Sequence, residues 1–147
     1  MSQELVDVAL AEARRSRAEG GIPIGAAIAD RDGRLLATGH NRMLLRHGDC
    51  TSHAELNAIR HLTPAALEGA TIATTMPPCW MCGGAIRQFR LARLVVVRQP
   101  YDSGAAAWLG AQGVVVERVE NSAAVGLFEV WRDENPELWP NPRLEDW

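Results

Sequence analysis

Three candidate metal ligands constrain the fold of this chain more than any other feature. Cys79 and Cys82 are separated by two residues, and His53 lies well upstream of them. Cysteine sulfur and histidine nitrogen are the ligands that zinc prefers in a tetrahedral shell. A fold that uses all three must bring two distant segments to one point. Three protein ligands would leave a fourth position open for water, as catalytic zinc sites do.

The local sequence around the cysteine pair favours a helix that begins there. Positions i and i+3 lie on one side of a helix, so both sulfur atoms would face the same way. Pro78 directly before the pair is compatible with a helix start, because the first amides of a helix have no intrahelical acceptor. Those free amides and the positive end of the helix also favour thiolate over thiol.

Glu55 is a candidate proton carrier and is not expected to be a ligand. Residues two apart do not share a helix face, so Glu55 and His53 would point in different directions. At a helix start, His53 can point off the end while Glu55 reaches the water beside the metal. Zinc lowers the pKa of its water to about 7, and a nearby carboxylate can take that proton. Glu55 could then deliver the proton to a ring nitrogen and to a leaving amine.

Each of these residues also has a simpler interpretation. A lone Cys-x-x-Cys pair is also typical of structural zinc or of a redox pair. Ser52-x-x-Glu55 fits a helix capping box, and His53 alone could be a hydrogen-bonded core residue. Cys50, three residues before His53, could complete a closed zinc site of three cysteines and one histidine. The joint pattern is more specific than any of its parts.

Composition limits the classes of protein to which this chain can belong. Its 147 residues suit one domain, residues 1–147, with 133–147 as a C-terminal tail or lid. The net charge is −3 and no basic stripe is visible, so we expect no nucleic-acid partner. The absence of lysine excludes Schiff-base chemistry. Neither a signal peptide nor a membrane span is recognisable, which favours a cytoplasmic location.

Hydrophobic periodicity predicts strands and helices that alternate after an initial helix and hairpin. This order is typical of a mixed α/β sheet covered on both faces, with the late strands parallel. Strands are predicted at 24–29, 35–38, 71–75, 93–97 and 113–116. A first helix is predicted to end near residue 20 and a second to begin near residue 52, and further helices are predicted at 79–89, 105–109 and 122–131.

His-x-Glu followed by Pro-Cys-x-x-Cys is the signature of zinc nucleobase deaminases. The chain resembles the cytidine deaminase superfamily, and within it the fungal-type cytosine deaminases, over residues 19–139. The resemblance implies a three-layer α/β/α sandwich with a five-stranded mixed sheet. It also implies one zinc ion per chain, a homodimer and a role in pyrimidine metabolism. Matching stretches lie at 19–25, 39–41, 52–55, 74–75, 79–86 and 133–139.

The same resemblance implies roles for residues outside the metal motif. Asn41 would hydrogen-bond the substrate carbonyl, assisted by the backbone amide of Ala54. Glu55 would contact the ring nitrogen. Tyr101 would lie over the base, and Trp139 would belong to a C-terminal lid. Cytosine to uracil plus ammonia, by zinc-bound hydroxide with Glu55 as the proton shuttle, is therefore the expected reaction.

Two departures from the fungal pattern weaken the prediction of cytosine as the substrate. The acid that follows the tail tryptophan there is missing here or displaced to Glu145 or Asp146, and Pro77 replaces a small hydroxyl residue. Alternatives within the family are guanine, creatinine or another amino-heterocycle, and a tRNA adenosine deaminase. An alternative outside it is a non-enzymatic module stabilised by structural zinc.

Overall fold

The computed structural model describes residues 1–45 and 48–139. Helices and strands alternate along most of the chain, as the periodicity predicted. The helices are α1 Ser2–Ala18, α2 Ala54–Ile59, α3 Pro64–Leu67, α4 Trp80–Gln88, α5 Ala105–Ala111 and α6 Ser122–Glu134, and the strands are β1 Gly25–Ala29, β2 Leu35–His40, β3 Thr71–Thr74, β4 Arg93–Val97 and β5 Val115–Val119.

The strands form one five-stranded mixed sheet in the order β2-β1-β3-β4-β5. Strand β1 is antiparallel to both β2 and β3, whereas β3, β4 and β5 run parallel to one another. Connections through helices α4 and α5 join the parallel strands, as short turns cannot link them. The predicted mixed sheet with parallel late strands is therefore confirmed.

Helices cover both faces of the sheet. Helix α1 and the first part of α6 pack on one face, where Leu5, Val6 and Leu10 meet small and β-branched residues of the central strands. On the other face, α2, α4 and α5 contribute Ala58, Ile86 and other apolar residues. The central strands β1 and β4 are almost entirely buried, because each face is covered. The architecture is the three-layer α/β/α sandwich that the resemblance implied.

Two glycines allow helices to approach the sheet closely. A Cβ atom at Gly25 of β1 would overlap the backbone of Ala9 in α1. A Cβ atom at Gly39 of β2 would overlap the carbonyl oxygen of Ala54 and the amide of Ala58 in α2. The absence of a side chain at Gly39 therefore sets the distance between the sheet and the helix that follows His53.

The structure corrects several predicted boundaries. Strand β5 begins at Val115 and not at Gly113, because Gly113 adopts a positive φ of 90° that ends the preceding turn. Helix α6 continues to Glu134, three residues beyond the predicted end, and so includes the first two residues of the predicted tail 133–147. The short helix α3 was not predicted. Residues 140–147, including Glu145 and Asp146, lie outside the described residues.

None of the helices in the described part of the chain is both long and apolar enough to cross a lipid bilayer.

Candidate metal centre

One edge of the sheet gathers the segments that build the site. The carboxyl ends of the parallel strands β3 and β4 lie at this edge, and the antiparallel arrangement brings the start of β1 and the end of β2 to it. Backbone hydrogen bonds fix these segments: the Asn41 amide donates to the Ile24 carbonyl at 2.9 Å, and the Thr75 amide donates to the Gly25 carbonyl at 3.1 Å. In open α/β sheets this edge is where ligands bind.

His53 and Cys79 occupy equivalent positions at the starts of two helices. His53 is the N-cap of α2, and Cys79 is the N-cap of α4. The Cys79 sulfur accepts a hydrogen bond from the Cys82 amide at 3.4 Å, so it caps the helix that carries Cys82. The predicted helix start at the cysteine pair is therefore confirmed to within one residue.

The distances among the three side chains suit a zinc ion. The Nδ1 atom of His53 lies 3.5 Å from the sulfur of Cys79 and 3.5 Å from that of Cys82. Tetrahedral coordination with Zn–N of about 2.0 Å and Zn–S of about 2.3 Å requires a nitrogen–sulfur separation of about 3.5 Å. All three residues are buried, and their ligand atoms lie within 4.8 Å of one another. They form a group that can hold the metal.

A small cavity adjoins this group and contains the predicted proton carrier. Its volume is about 20 Å³. Glu55 lines it together with Asn41, His53 and Cys79, and only 4% of Glu55 is exposed. The remaining lining residues are Ile24, Met76 and Pro77. Of these, only Met76 lies outside the stretches and positions singled out in the sequence.

Burial shapes the protonation of the groups around the cavity. Burial, reinforced by the negative charge of Cys79, raises the pKa of Glu55 to about 7. A hydrogen bond from Cys82, with another from His53, lowers the pKa of Cys79 to about 4 although burial opposes the change. The same interaction with Cys79 raises the pKa of Cys82 well above its usual range. Zinc binds cysteine as thiolate, so a bound divalent cation must displace the proton of Cys82.

Asn41 is held rigidly beside the metal ligands. It is 1% exposed, and its side-chain oxygen accepts a hydrogen bond from the Met43 amide at 3.1 Å. Its backbone carbonyl accepts one from the Ser16 hydroxyl at 2.6 Å. With its side-chain oxygen oriented towards the Met43 amide, Asn41 can offer its side-chain nitrogen as a donor to a ligand. Ala54, the first residue of α2 and the sequence neighbour of His53, is fully buried.

Comparison with known proteins agrees with this geometry. The family model described as the cytidine and deoxycytidylate deaminase zinc-binding region matches residues 1–98, which include His53, Glu55, Cys79 and Cys82. The chain belongs to the cytidine and deoxycytidylate deaminase family. It is a deaminase of this family, and zinc is its cofactor.

Individual members of the deaminase family differ in the substrates named for them. The cytosine deaminase of Candida albicans is 33% identical over 137 residues, which cover 91% of each chain. The tRNA-specific adenosine deaminase of Haemophilus influenzae is 34% identical over 107 residues, covering 70% of this chain and 61% of that protein. The guanine deaminase structure from Nitrosomonas europaea shares the fold, with a TM-score of 0.69, 24% identity and coverage of 90% and 82%.

Tyr101 and Trp139 of this deaminase lie together but do not line the small cavity. Their rings meet edge to face at 5.1 Å, and both contact Phe128 of α6 in the same way. The Tyr101 hydroxyl accepts a hydrogen bond from the Arg132 guanidinium at 2.6 Å. Trp139 is 5% exposed. The structure therefore brings the two aromatic residues to each other, in a cluster built on α6.

Two residues that the sequence did not single out hold the segment before Cys79. The Gln99 side-chain amide donates to the Thr75 carbonyl at 2.9 Å, and the Ser103 hydroxyl donates to the Pro78 carbonyl at 2.8 Å. Both residues come from the loop after β4. No local pattern marks them, because the contacts join positions that are 24 and 25 residues apart.

Two simpler interpretations of the motif disagree with the structure of the described residues. Cys50 is exposed and does not belong to the ligand group of His53, Cys79 and Cys82, so a closed four-ligand site gains no support. The capping box is wrong because His53, and not Ser52, is the N-cap, and no side chain caps α2. The Ser52 hydroxyl instead accepts a hydrogen bond from the side-chain nitrogen of Asn57 at 3.1 Å.

Proposed function

We propose that this deaminase hydrolyses the exocyclic amino group of a free nucleobase or similar small amino-heterocycle, with cytosine to uracil plus ammonia as the lead reaction. One observation carries the proposal: the buried carboxyl group of Glu55 shares a cavity with Asn41, beside the three metal ligands. The similarity to a cytosine deaminase over nine-tenths of both chains supports the choice of substrate class.

Zinc held by His53, Cys79 and Cys82 would supply a Lewis acid that acidifies a water ligand at its open position. Glu55 accepts the proton from that water and transfers it to the ring nitrogen next to the amino-bearing carbon. The water oxygen becomes bonded to this carbon, and the carbon–nitrogen bond to the amino group breaks. Glu55 takes the second proton from the newly bonded hydroxyl group, which becomes the ring carbonyl, and delivers it to the departing amine, which leaves as ammonia.

Recognition of the heterocycle would rest on Asn41 and Ala54. The Asn41 amide nitrogen donates to the ring carbonyl, in agreement with the occupation of its oxygen by Met43. The backbone amide of Ala54, at the unpaired start of α2, donates to the same carbonyl. A substrate without an acceptor at this position would leave both donors unsatisfied, which lowers its affinity.

We propose the aromatic pair Tyr101 and Trp139 as the side of the pocket farthest from the metal. In this proposal residues 1–147 form one domain, and residues 133–147 act as its tail or lid. The support is that Trp139 lies beyond the end of α6 and packs against Tyr101 of the loop after β4. This loop also contacts the segment before Cys79 through Ser103.

A substrate panel tests the proposed function. Zinc-loaded protein is incubated with cytosine, guanine, adenine, creatinine and cytidine, and ammonia release is measured. We expect cytosine to give the highest kcat/KM. Turnover of guanine or creatinine in place of cytosine would move the assignment to another amino-heterocycle, and no turnover of any free heterocycle would contradict the proposal.

A second candidate is deamination of adenosine in tRNA, which the similarity to the Haemophilus influenzae enzyme favours. The acidic net charge of −3 argues against it, because a polynucleotide deaminase must hold many phosphates. We expect no gel shift with tRNA at physiological salt and no inosine formation. Formation of inosine at the wobble position of tRNA would contradict the free-base proposal and favour tRNA deamination.

We also propose a homodimer, as the resemblance to free-base deaminases implied. Trp80 and Met81 are exposed apolar side chains on the helix that carries Cys82. A second subunit that packs on this helix would cover them. Sedimentation velocity should give a dimer at micromolar concentration. A monomer throughout the accessible concentration range would contradict this proposal.

A further inference from the structure

A second cavity lies between the C-terminal half of α1, the end of β2 and the end of α2. Its volume is about 260 Å³, and it shares no lining residue with the cavity of Glu55. Polar and charged side chains dominate its wall. The lining residues are Glu12, Arg15, Thr38, Gly39, His40, Arg42, Asn57, Arg60 and His61.

Two of the three arginines in this cavity have no carboxylate partner in the described part of the chain. Arg15 pairs with Glu19 at 3.3 Å and with Glu12 at 3.9 Å. Arg42 and Arg60 form no such pair within residues 1–45 and 48–139, and the buried Nε atom of Arg42 has no hydrogen-bond acceptor there. A buried donor without an acceptor costs free energy unless a ligand or water satisfies it.

The acidic side chains nearest the cavity already have partners. The two ring nitrogens of His40 lie 2.8 Å from the carboxylate of Glu12 and 2.8 Å from that of Glu19. The hydrogen bond with His40 also lowers the pKa of Glu19, so this carboxylate is ionised and engaged. Within residues 1–45 and 48–139, these contacts leave Arg42 and Arg60 without a carboxylate partner, and the cavity lining has three arginines to one glutamate.

We propose that this cavity binds a phosphate-type oxyanion between the guanidinium groups of Arg42 and Arg60. A guanidinium offers several donors in a planar fork that matches the spacing of phosphate oxygens. His61 lies on the same wall and can add a further donor. The site adjoins the catalytic cavity in sequence at two points, since Arg42 follows Asn41 and Arg60 ends the helix that begins after His53.

Isothermal titration with inorganic phosphate tests the proposal on the zinc-loaded protein at low ionic strength, where screening is weak. We expect wild type to bind phosphate. Arg60→Gln removes one exposed guanidinium and should weaken binding about tenfold or more, as a charge-assisted hydrogen bond requires. Arg42→Gln should weaken it at least as strongly. The matched control Arg14→Gln removes an exposed arginine of α1 outside the cavity and should bind like wild type.

The readout is binding and not turnover, so its failure is distinct from a failure of the proposed function. Absence of phosphate binding to wild type would overturn the proposal. Equal affinity in wild type, Arg60→Gln and Arg42→Gln would also overturn it, because the phosphate would then bind elsewhere, such as on the zinc. A parallel titration with cytidine monophosphate identifies the source. Tighter binding than phosphate, lost in Arg60→Gln, assigns the site to a nucleotide, and equal binding assigns it to the free anion.

Discussion

The carboxyl group of Glu55 is placed where water is scarce and negative charge is already present. It is buried in the first turn of α2, and the Cys79 sulfur contributes to raising its pKa. A carboxyl group with a pKa near 7 accepts a proton more readily at neutral pH than an exposed carboxylate does. It also releases that proton more readily than a group of much higher pKa would. These properties suit a group that must both accept and deliver a proton.

Replacement of Glu55 separates proton transfer from metal binding. Glu55→Ala should lower kcat by about 100- to 10,000-fold, the usual contribution of a general acid–base group. Zinc content, measured by mass spectrometry, should remain one ion per chain because Glu55 is not a ligand. Glu4→Gln, at an exposed position of α1, is the control and should keep wild-type kcat. Near wild-type turnover in Glu55→Ala would exclude the shuttle role.

Replacement of Cys82 should instead remove metal and stability together. Cys82 is fully buried, and binding of a metal by such ligands contributes to the free energy of folding. We expect Cys82→Ser to lose zinc and to unfold at a lower temperature, by about 2–4 °C for each kcal/mol lost. Cys50→Ser changes an exposed thiol outside the ligand group and should leave both quantities unchanged. Full zinc occupancy in Cys82→Ser would mean that the ligand set is different.

At the scale of elements, the close contact between β2 and α2 determines the position of α2 relative to the sheet, and so the position of His53 at its N-terminus. Gly39→Ala would place a methyl group against the backbone of α2 and should push the helix away from the sheet. Overpacking of this kind costs about 1–3 kcal/mol. We therefore expect a lower unfolding temperature and weaker zinc binding, measured by calorimetry and by competition with a chelator.

Gly126→Ala is the matched control for this change. Gly126 lies within α6, and a Cβ atom there would contact nothing within 4 Å. Alanine in a helix interior is favoured over glycine by about 0.5–1 kcal/mol, so this variant should be slightly more stable. If both variants weakened zinc binding equally, the position of α2 would not explain the loss.

Periodicity predicted the long elements because their burial is regular. Helix α1 and strands β1 and β4 repeat apolar residues at the spacing that one covered face or two covered faces require. The predicted bounds of β5 were wrong because it is the outermost strand of the sheet and is only partly buried, so its apolar pattern is weak. The short helix α3, capped by Thr63 and opened by Pro64, is too brief to show a period.

The metal ligands could be predicted from the sequence because coordination chemistry permits few residue types at few spacings. The prediction of Glu55 beside them followed from its distance to His53 along the chain. Gln99 and Ser103 could not be found in the same way, since their contacts depend on how β4 packs beside β3. Tyr101 and Trp139 were named by resemblance alone, and the structure places them in contact with each other.

At the scale of the whole molecule, the end of the described chain packs back onto the hydrophobic core through Trp139. Its indole packs against Tyr101 and Phe128, and its Nε1 atom is buried without an acceptor in the described residues. We expect Trp139→Phe to raise KM for the best substrate by about 2- to 10-fold, the range of one aromatic contact, and to change kcat less.

Steady-state kinetics with zinc analysis checks this expectation. Trp108→Phe is the control, because the ring of Trp108 in α5 meets that of Trp80 in α4, whereas the ring contacts of Trp139 in the described residues are with Tyr101 and Phe128. It should keep the wild-type KM. A KM that stays unchanged in Trp139→Phe would remove the tail from substrate binding.

The opposite edge of the sheet takes no part in holding the metal. There the turn between β1 and β2 is closed by the Asp30 carboxylate, which accepts hydrogen bonds from the amides of Asp32 and Arg34, and Gly33 adopts a φ of 84°. Strands β1 and β2 separate this turn from the metal ligands and Glu55. A fluorophore, a surface-immobilisation tag or a fused protein attached at the hairpin would therefore leave the chemistry at the far edge undisturbed, which makes the fold suitable for a biosensor.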